Sequence, residues 1–238
     1  FNRYLMSFSH LFDGGYAVYA VNNGDADGTS DLSITTANVS GAYAIQVTNN
    51  GAGALGSNLT VNTSAGTITA NSGRGIYAVN YGSSIDVNDF GLYFGGAANL
   101  SITTADVIAG DNGIDARNYG TAYDSSTLSI DTTAGRITSV PGSAATGTYA
   151  HNAGDSKYGS SDLAITTGDI SADSFGISAL NDSSGGLGAN LTINTTAGSV
   201  WVDPEAPEVR DGISVVNLGS SVIGTLELSI TTADVTGA

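Results

Sequence analysis

Seven asparagines recur along the chain at intervals of roughly thirty residues, and each precedes a short apolar segment of the form L-x-I/V-x-T. They are Asn22, Asn49, Asn80, Asn118, Asn152, Asn181 and Asn217, and the leucines that follow are Leu32, Leu59, Leu100, Leu128, Leu163, Leu191 and Leu228. Six of the seven gaps are 10 or 11 residues; the third is 20, because about ten residues are inserted there. A unit this short cannot bury an apolar face alone, so it must stack on its neighbours as a solenoid.

Each unit reads as three short strands. The first is the G-I-x-A-x-N segment, as in Gly75-Ile-Tyr-Ala-Val-Asn80 and Gly176-Ile-Ser-Ala-Leu-Asn181. Period-two alternation puts Ile76, Ala78 and Asn80 on one face, with Tyr77 and Val79 on the other. The second is L-S-I-T-T, with Leu100 and Ile102 inward and Ser101 and Thr103 outward. The third is a brief A-D/N-V segment such as Ala105-Asp-Val107. Three strands per turn, each paired in parallel with its equivalent one turn on, predict an all-β parallel β-helix of about seven turns. The handedness of parallel crossovers makes it right-handed, and strand spacing makes it a rod about 35 Å long.

A second period overlies the first. Odd turns read I-T-T-A-D-V around Ile34, Ile102, Ile165 and Ile230, whereas even turns read N/D-T-x-A-G-x-I/V around Asn62, Asp131 and Asn194. The parent unit is therefore two turns. Residues 1–15 fit the repeat poorly and are expected to be a degenerate turn or cap. Residues 16–238 form the coil, with the insert near 83–97 and a long loop near 199–211. The chain opens on Phe1 and closes halfway through a unit, which reads as a piece of a longer array.

The Asn row is expected to be structural. An inward amide at a corner satisfies backbone groups the turn leaves unpaired, and stacked copies form a ladder. Glycines two residues on, such as Gly51, Gly82 and Gly120, are expected to supply positive φ there.

Composition narrows the function. With 22 acidic against 6 basic residues the formal charge is −16, too acidic to neutralise a nucleic-acid backbone or to seek anionic lipid. No apolar run approaches the ~18 residues of a membrane helix, so this segment is not expected to insert in a membrane. There is no cysteine, hence neither a disulfide nor a thiolate metal site. The G-G-x-G-x-D calcium repeat is absent too, and no metal or cofactor is expected.

Candidate partner-binding residues are those that depart from the uniform rod. The third-turn insert groups Asp86, Asp89, Phe90, Tyr93 and Phe94, and the late loop carries Trp201, Asp203 and Glu205. Loops on a rigid scaffold are where recognition usually sits. The outward row of the Asn strand reads Tyr19/Val21, Gln46/Thr48, Tyr77/Val79, Asp115/Arg117, Tyr149/His151, Ser178/Leu180 and Ser214/Val216, with tyrosines that can stack on sugars, meet a protein or simply pack across strands. The outward hydroxyl row, such as Ser101 and Thr103, suggests an ice-binding array, but Asn62, Asp131 and Ala164 interrupt it. Pectate lyases and polygalacturonase-like hydrolases also have parallel β-helices. They need paired carboxylates and a base or calcium. Asp106, Asp169 and Asp234 stack two turns apart without a basic residue in register, and His10 and His151 are too far apart to cooperate. The chain is not expected to be an enzyme.

The phrases Gly75-Ile-Tyr-Ala-Val-Asn-Tyr-Gly82 and Leu100-Ser-Ile-Thr-Thr-Ala-Asp-Val107 resemble the strand repeats of bacterial autotransporter passenger domains and related β-helical adhesins, over nearly the whole chain from Tyr16. The resemblance implies export, display outside the outer membrane, and anchorage through a carboxy-terminal barrel beyond this segment. It implies adhesion or aggregation, with a host or neighbouring-cell surface protein or glycan as partner. The competing expectation is a fibre-forming repeat that self-associates end to end.

Overall fold

The computed structural model describes residues 15–84, 95–140, 144–203 and 211–237. Its strands pair in parallel throughout and form three sheets of seven strands each. The first sheet runs from Tyr16–Asn22 to Ile213–Asn217, the second from Thr29–Thr35 to Leu228–Thr231, and the third from Val39–Gly41 to Val235–Thr236. The chain visits each sheet once per turn, and every strand lies beside its equivalent one turn later. This is a parallel β-helix of seven coils, numbered 1 to 7 here. Among the described residues there is no helix.

The register follows the repeat residue for residue. Asn80 lies between Asn49 and Asn118, and Leu128 between Leu100 and Leu163. Period-two alternation then sends Leu, Ile and Ala into one continuous core, in which Leu59, Leu100, Leu128, Ile102 and Ile165 are fully buried. Each such Leu or Ile contributes about 1.5–3 kcal/mol relative to an exposed one. The third strand begins later than its sequence suggests. Val107–Ala109 is the strand, and Ala105-Asp106 forms the corner before it.

The asparagines do form a ladder. Each Nδ2 donates to the Oδ1 of the next, at 2.8 Å from Asn22 to Asn49 and 3.1 to 3.2 Å for the four steps onward to Asn181. Asn217 instead donates to the carbonyls of Ala189 and Glu227. A serine two residues before each leucine completes the corner in four coils. Ser57 Oγ accepts from Asn49 and donates to Gly51 O, and Ser30, Ser126 and Ser161 make the same links. Positions 98 and 189 hold alanine instead.

The corner glycines are needed for space rather than for their φ. Positive φ occurs at Gly15, Gly56 and Gly188, not at Gly51, Gly82 or Gly120. A Cβ on Gly51 or Gly82 would overlap the serine hydroxyl and the carbonyl of the glycine one coil below. Stacked backbones approach too closely there for any side chain.

The stretch between the Asn strand and the Leu strand forms a fourth, narrow side. Short parallel bridges link Ala26, Gly53 and Ser84, then Ala122, Ser156 and Gly185, and Ser184–Gly185 pairs with Ser220–Ser221. No period-two alternation in residues 23–28 or 50–55 marks this side as strand.

The two-coil period has a physical cause at two corners. From the second sheet to the third, odd coils take five residues (Ile102 to Val107) and even coils seven (Ile130 to Ile137). The longer corner closes on itself: Asp131 Oδ1 accepts from the amide and hydroxyl of Thr133, as Asn62 does from Ser64 and Asn194 from Thr196. Such Asx turns are a local alternative to the sheet ladder. The odd coil beneath then pins it. Asn38, Asp106 and Asp169 accept the backbone N–H of Thr67, Arg136 and Ser199 at 2.9 to 3.0 Å. On the fourth side Asp25, Ser83 and Asp155 do the same for Ala52, Thr121 and Ser184. Both sets run from an odd coil to the even coil above it.

Candidate functional site

The outer face of the first sheet carries the densest chemistry among the described residues. Alternation points Tyr77, Asp115 and Tyr149 outward in register on coils 3, 4 and 5. Asp115 is nevertheless fully buried. Arg117 grips it with both prongs, Nε to Oδ1 at 2.8 Å and NH2 to Oδ2 at 3.0 Å, and Arg74 NH1 approaches to 3.3 Å. The guanidinium of Arg74 lies 4.6 Å from the centre of the Tyr77 ring, and that of Arg117 lies 5.2 Å from Tyr149. A carboxylate removed from water costs several kcal/mol and is tolerated only when paired and hydrogen-bonded in this way. The hydrogen bond to Asp115 holds the Arg117 guanidinium above its ordinary range despite partial burial. Burial pushes the Tyr149 phenol up, and Arg117 pulls it part of the way back. Val79, outward by alternation, is buried as well, between Thr48 and Arg117 in register.

Beyond the Asn corner the cluster continues as an aromatic file. Tyr81 and Tyr119 stack at 5.2 Å and 12°. The Tyr119 hydroxyl lies 3.4 Å from His151 Nδ1, and His151 Nε2 lies 2.9 Å from Asp182 Oδ1. Both ring nitrogens thus meet partners on neighbouring coils. His151 ties coils 4, 5 and 6 together.

The fourth side carries a groove of about 390 Å³ lined by residues of coils 3 to 7, among them Ser84, Thr121, Tyr123, Asp155, Lys157 and Ser184. Tyr123 and Tyr158, on successive coils, stand 5.9 Å apart at 36°. The Lys157 ammonium lies 4.8 and 5.1 Å from their ring centres.

The residues singled out from sequence fare unequally. Asp86, Asp89, Phe90, Tyr93, Phe94 and Glu205 lie outside the described residues. Trp201 is not in a loop: it sits in strand Val200–Val202, partly exposed, between Ser171 and Thr236 in register. Asp203 follows, its amide donating to Ala172 O. Trp201 therefore belongs to the third sheet and the Arg–Tyr cluster to the first. Arg136 corrects the expectation that the stacked aspartates have no basic residue in register. It lies between two of them, with its amide on Asp106 and its guanidinium 3.7 Å from Asp169. Hydrogen bonds from Ser199 hold the Asp169 carboxyl below the usual carboxylate range. Among the described residues no group of three or more His, Asp or Glu is placed to hold a metal ion. The described residues contain no helix long and apolar enough to cross a membrane.

Fold and face together place the chain in the class of parallel β-helix solenoids with a differentiated outer flank. No family model matches it, and neither a curated protein nor a solved structure does.

Proposed function

We propose that the chain is a rigid recognition rod displayed outside a bacterial cell, of the autotransporter-adhesin type its repeats resemble. One observation carries the reading: the interior holds one residue pattern through the coils while the outer row of the first sheet varies along the rod, from Tyr77, Asp115 and Tyr149 to Ser178 and Ser214. That row gathers Arg74 and Arg117, two of five arginines in a chain of charge −16, among tyrosines. Uniform packing supplies stiffness, and aromatic and guanidinium planes are the side chains that most often anchor contacts. The partner is a surface protein or glycan of a host or neighbouring cell.

An antibody against the folded rod tests the location. Staining of intact source cells supports display; staining only after permeabilisation overturns it.

A further inference from the structure

We propose that Arg74 and Arg117 form a preset fork on the outer face of the first sheet that takes a side-chain carboxylate of a partner protein. This rests on the reading of the chain as a displayed recognition rod and names what that face receives. The observation behind it is Asp115. Its side chain is 0% exposed although alternation points it outward, whereas the side chains of Arg74 and Arg117 remain 34% and 31% exposed. The negative charge is covered and the positive groups over it reach solvent. The sheet itself does not require this arrangement. The equivalent outward positions hold Gln46, Tyr77, Tyr149 and Ser178, all in the same register. A buried ion pair is often no more stabilising than apolar residues in its place, so stability does not account for it.

What the buried carboxylate does is fix direction. Arg117 commits Nε and one Nη2 proton to Asp115. A guanidinium carries five N–H groups in one plane, so three remain, two of them on Nη1. Tyr77 one coil below and Tyr149 one coil above have ring centres 5.8 and 5.2 Å from it. Arg74 reaches Asp115 through Nη1 at 3.3 Å and lies 4.6 Å from the Tyr77 ring centre; its Nε is 3.8 Å from Asp111, beyond hydrogen-bond length. A carboxylate matches a guanidinium edge with two parallel hydrogen bonds. Because both side chains are already held, less conformational freedom is lost when it docks. Tyr81, 51% exposed and stacked on Tyr119, adds an aromatic plane past the corner.

Other occupants fit less well. An acidic sugar brings the same carboxylate but binds best where polar groups converge in a cleft, and neither arginine lines the groove of the fourth side. A peptide backbone has no open edge to join, because the first-sheet strands of coils 3 to 5 each have a neighbour on both sides. Contact is therefore made by side chains. A nucleic acid would bring a row of phosphates against a chain of charge −16. One carboxylate meets only the local positive groups, since exposed charges more than about 8 Å away are screened at physiological salt.

The test is titration of the folded chain with acetyl-Gly-Glu-Gly-amide, its glutamine counterpart and N-acetylneuraminate, followed by NMR on the arginine Nε–H signals. The glutamate peptide should move the Arg74 and Arg117 signals saturably, and the glutamine peptide should not. Arg117→Lys keeps the charge but loses the planar fork, and should weaken binding about tenfold. If that variant unfolds because Asp115 loses its partner, Arg74→Gln takes its place. It leaves both Arg117 bonds to Asp115 intact and should weaken binding by a similar factor. Arg136→Gln, which changes an exposed arginine away from this face, should bind like the parent chain. No movement with the glutamate peptide, equal movement with both peptides, or undiminished binding by Arg74→Gln overturns the proposal. Stronger movement with N-acetylneuraminate than with the glutamate peptide also overturns it and assigns the fork to an acidic glycan. None of these results bears on surface staining of intact cells, which decides the display reading separately.

Discussion

The seam between coils 3 and 4 and the seam between coils 4 and 5 share the same backbone ladders and the same amide step, yet they are held differently. Across the first, Asp106 accepts the Arg136 amide, Ser83 and Ser84 accept the Thr121 and Tyr123 amides, and Asn112 accepts that of Thr146. Across the second, the Ala144 amide donates to Asp173 in the return, the Ser156 and Ser161 hydroxyls donate to the carbonyls of Asp124 and Ser126, the Tyr119 hydroxyl meets His151, and Arg136 lies 3.7 Å from Asp169, but among the described residues no side chain of coil 4 accepts an amide of a coil 5 corner. That ion pair is largely exposed and contributes little in water. The contrast teaches that the interior makes a solenoid, whereas the corners make it a solenoid of coil pairs. Side-chain acceptors on the odd coil let the longer even corner fold back on itself.

The largest effect should ignore the pairing. Leu100→Ala on coil 3 and Leu128→Ala on coil 4 remove equivalent buried side chains, and each should cost about 2–5 kcal/mol in denaturant unfolding. A large difference between them would mean that the core is not uniform. Asn118→Ala comes next, because its amide serves both seams through Asn80 and Asn152. Leaving buried partners unsatisfied should cost about 1–3 kcal/mol.

Asp106→Ala separates the two kinds of seam. It should cost about 0.5–1.5 kcal/mol and speed exchange of the Arg136 amide. The Val107 amide, which crosses the same seam to Arg136 O, should change far less. The smallest effect is in acid. Asp169 titrates below the usual range in the folded chain, so its contribution is complete above the unfolded value near 4 and is lost as pH falls through the folded one. Asp169→Asn should flatten the fall of the melting temperature below about pH 4, because Asn38 already performs the same task as an amide on coil 1. An unchanged acid slope would assign the loss to other carboxylates.

Much of this architecture is legible in the residues. The Asn and Leu rows set register, coil count and the inward face, because period-two alternation leaves little choice once one residue is placed. The alternation of odd and even turns is legible too, though not its cause, since Asp106 and the Arg136 amide are 30 residues apart. Ser30, Ser57, Ser126 and Ser161 carried a signal in their constant place before the leucine. Asp115 gave none: it looks like any outward carboxylate until Arg74 and Arg117 close over it. The corner glycines misled because crowding between stacked backbones and a positive φ select the same residue.

Native-state amide hydrogen exchange, resolved by seam, tests the pairing most directly. Local opening should be easier at the seams between pairs, coils 2/3 and 4/5, than at those within pairs, coils 3/4 and 5/6. Protection that falls smoothly from the middle of the rod to its ends, without regard to odd or even, would contradict it.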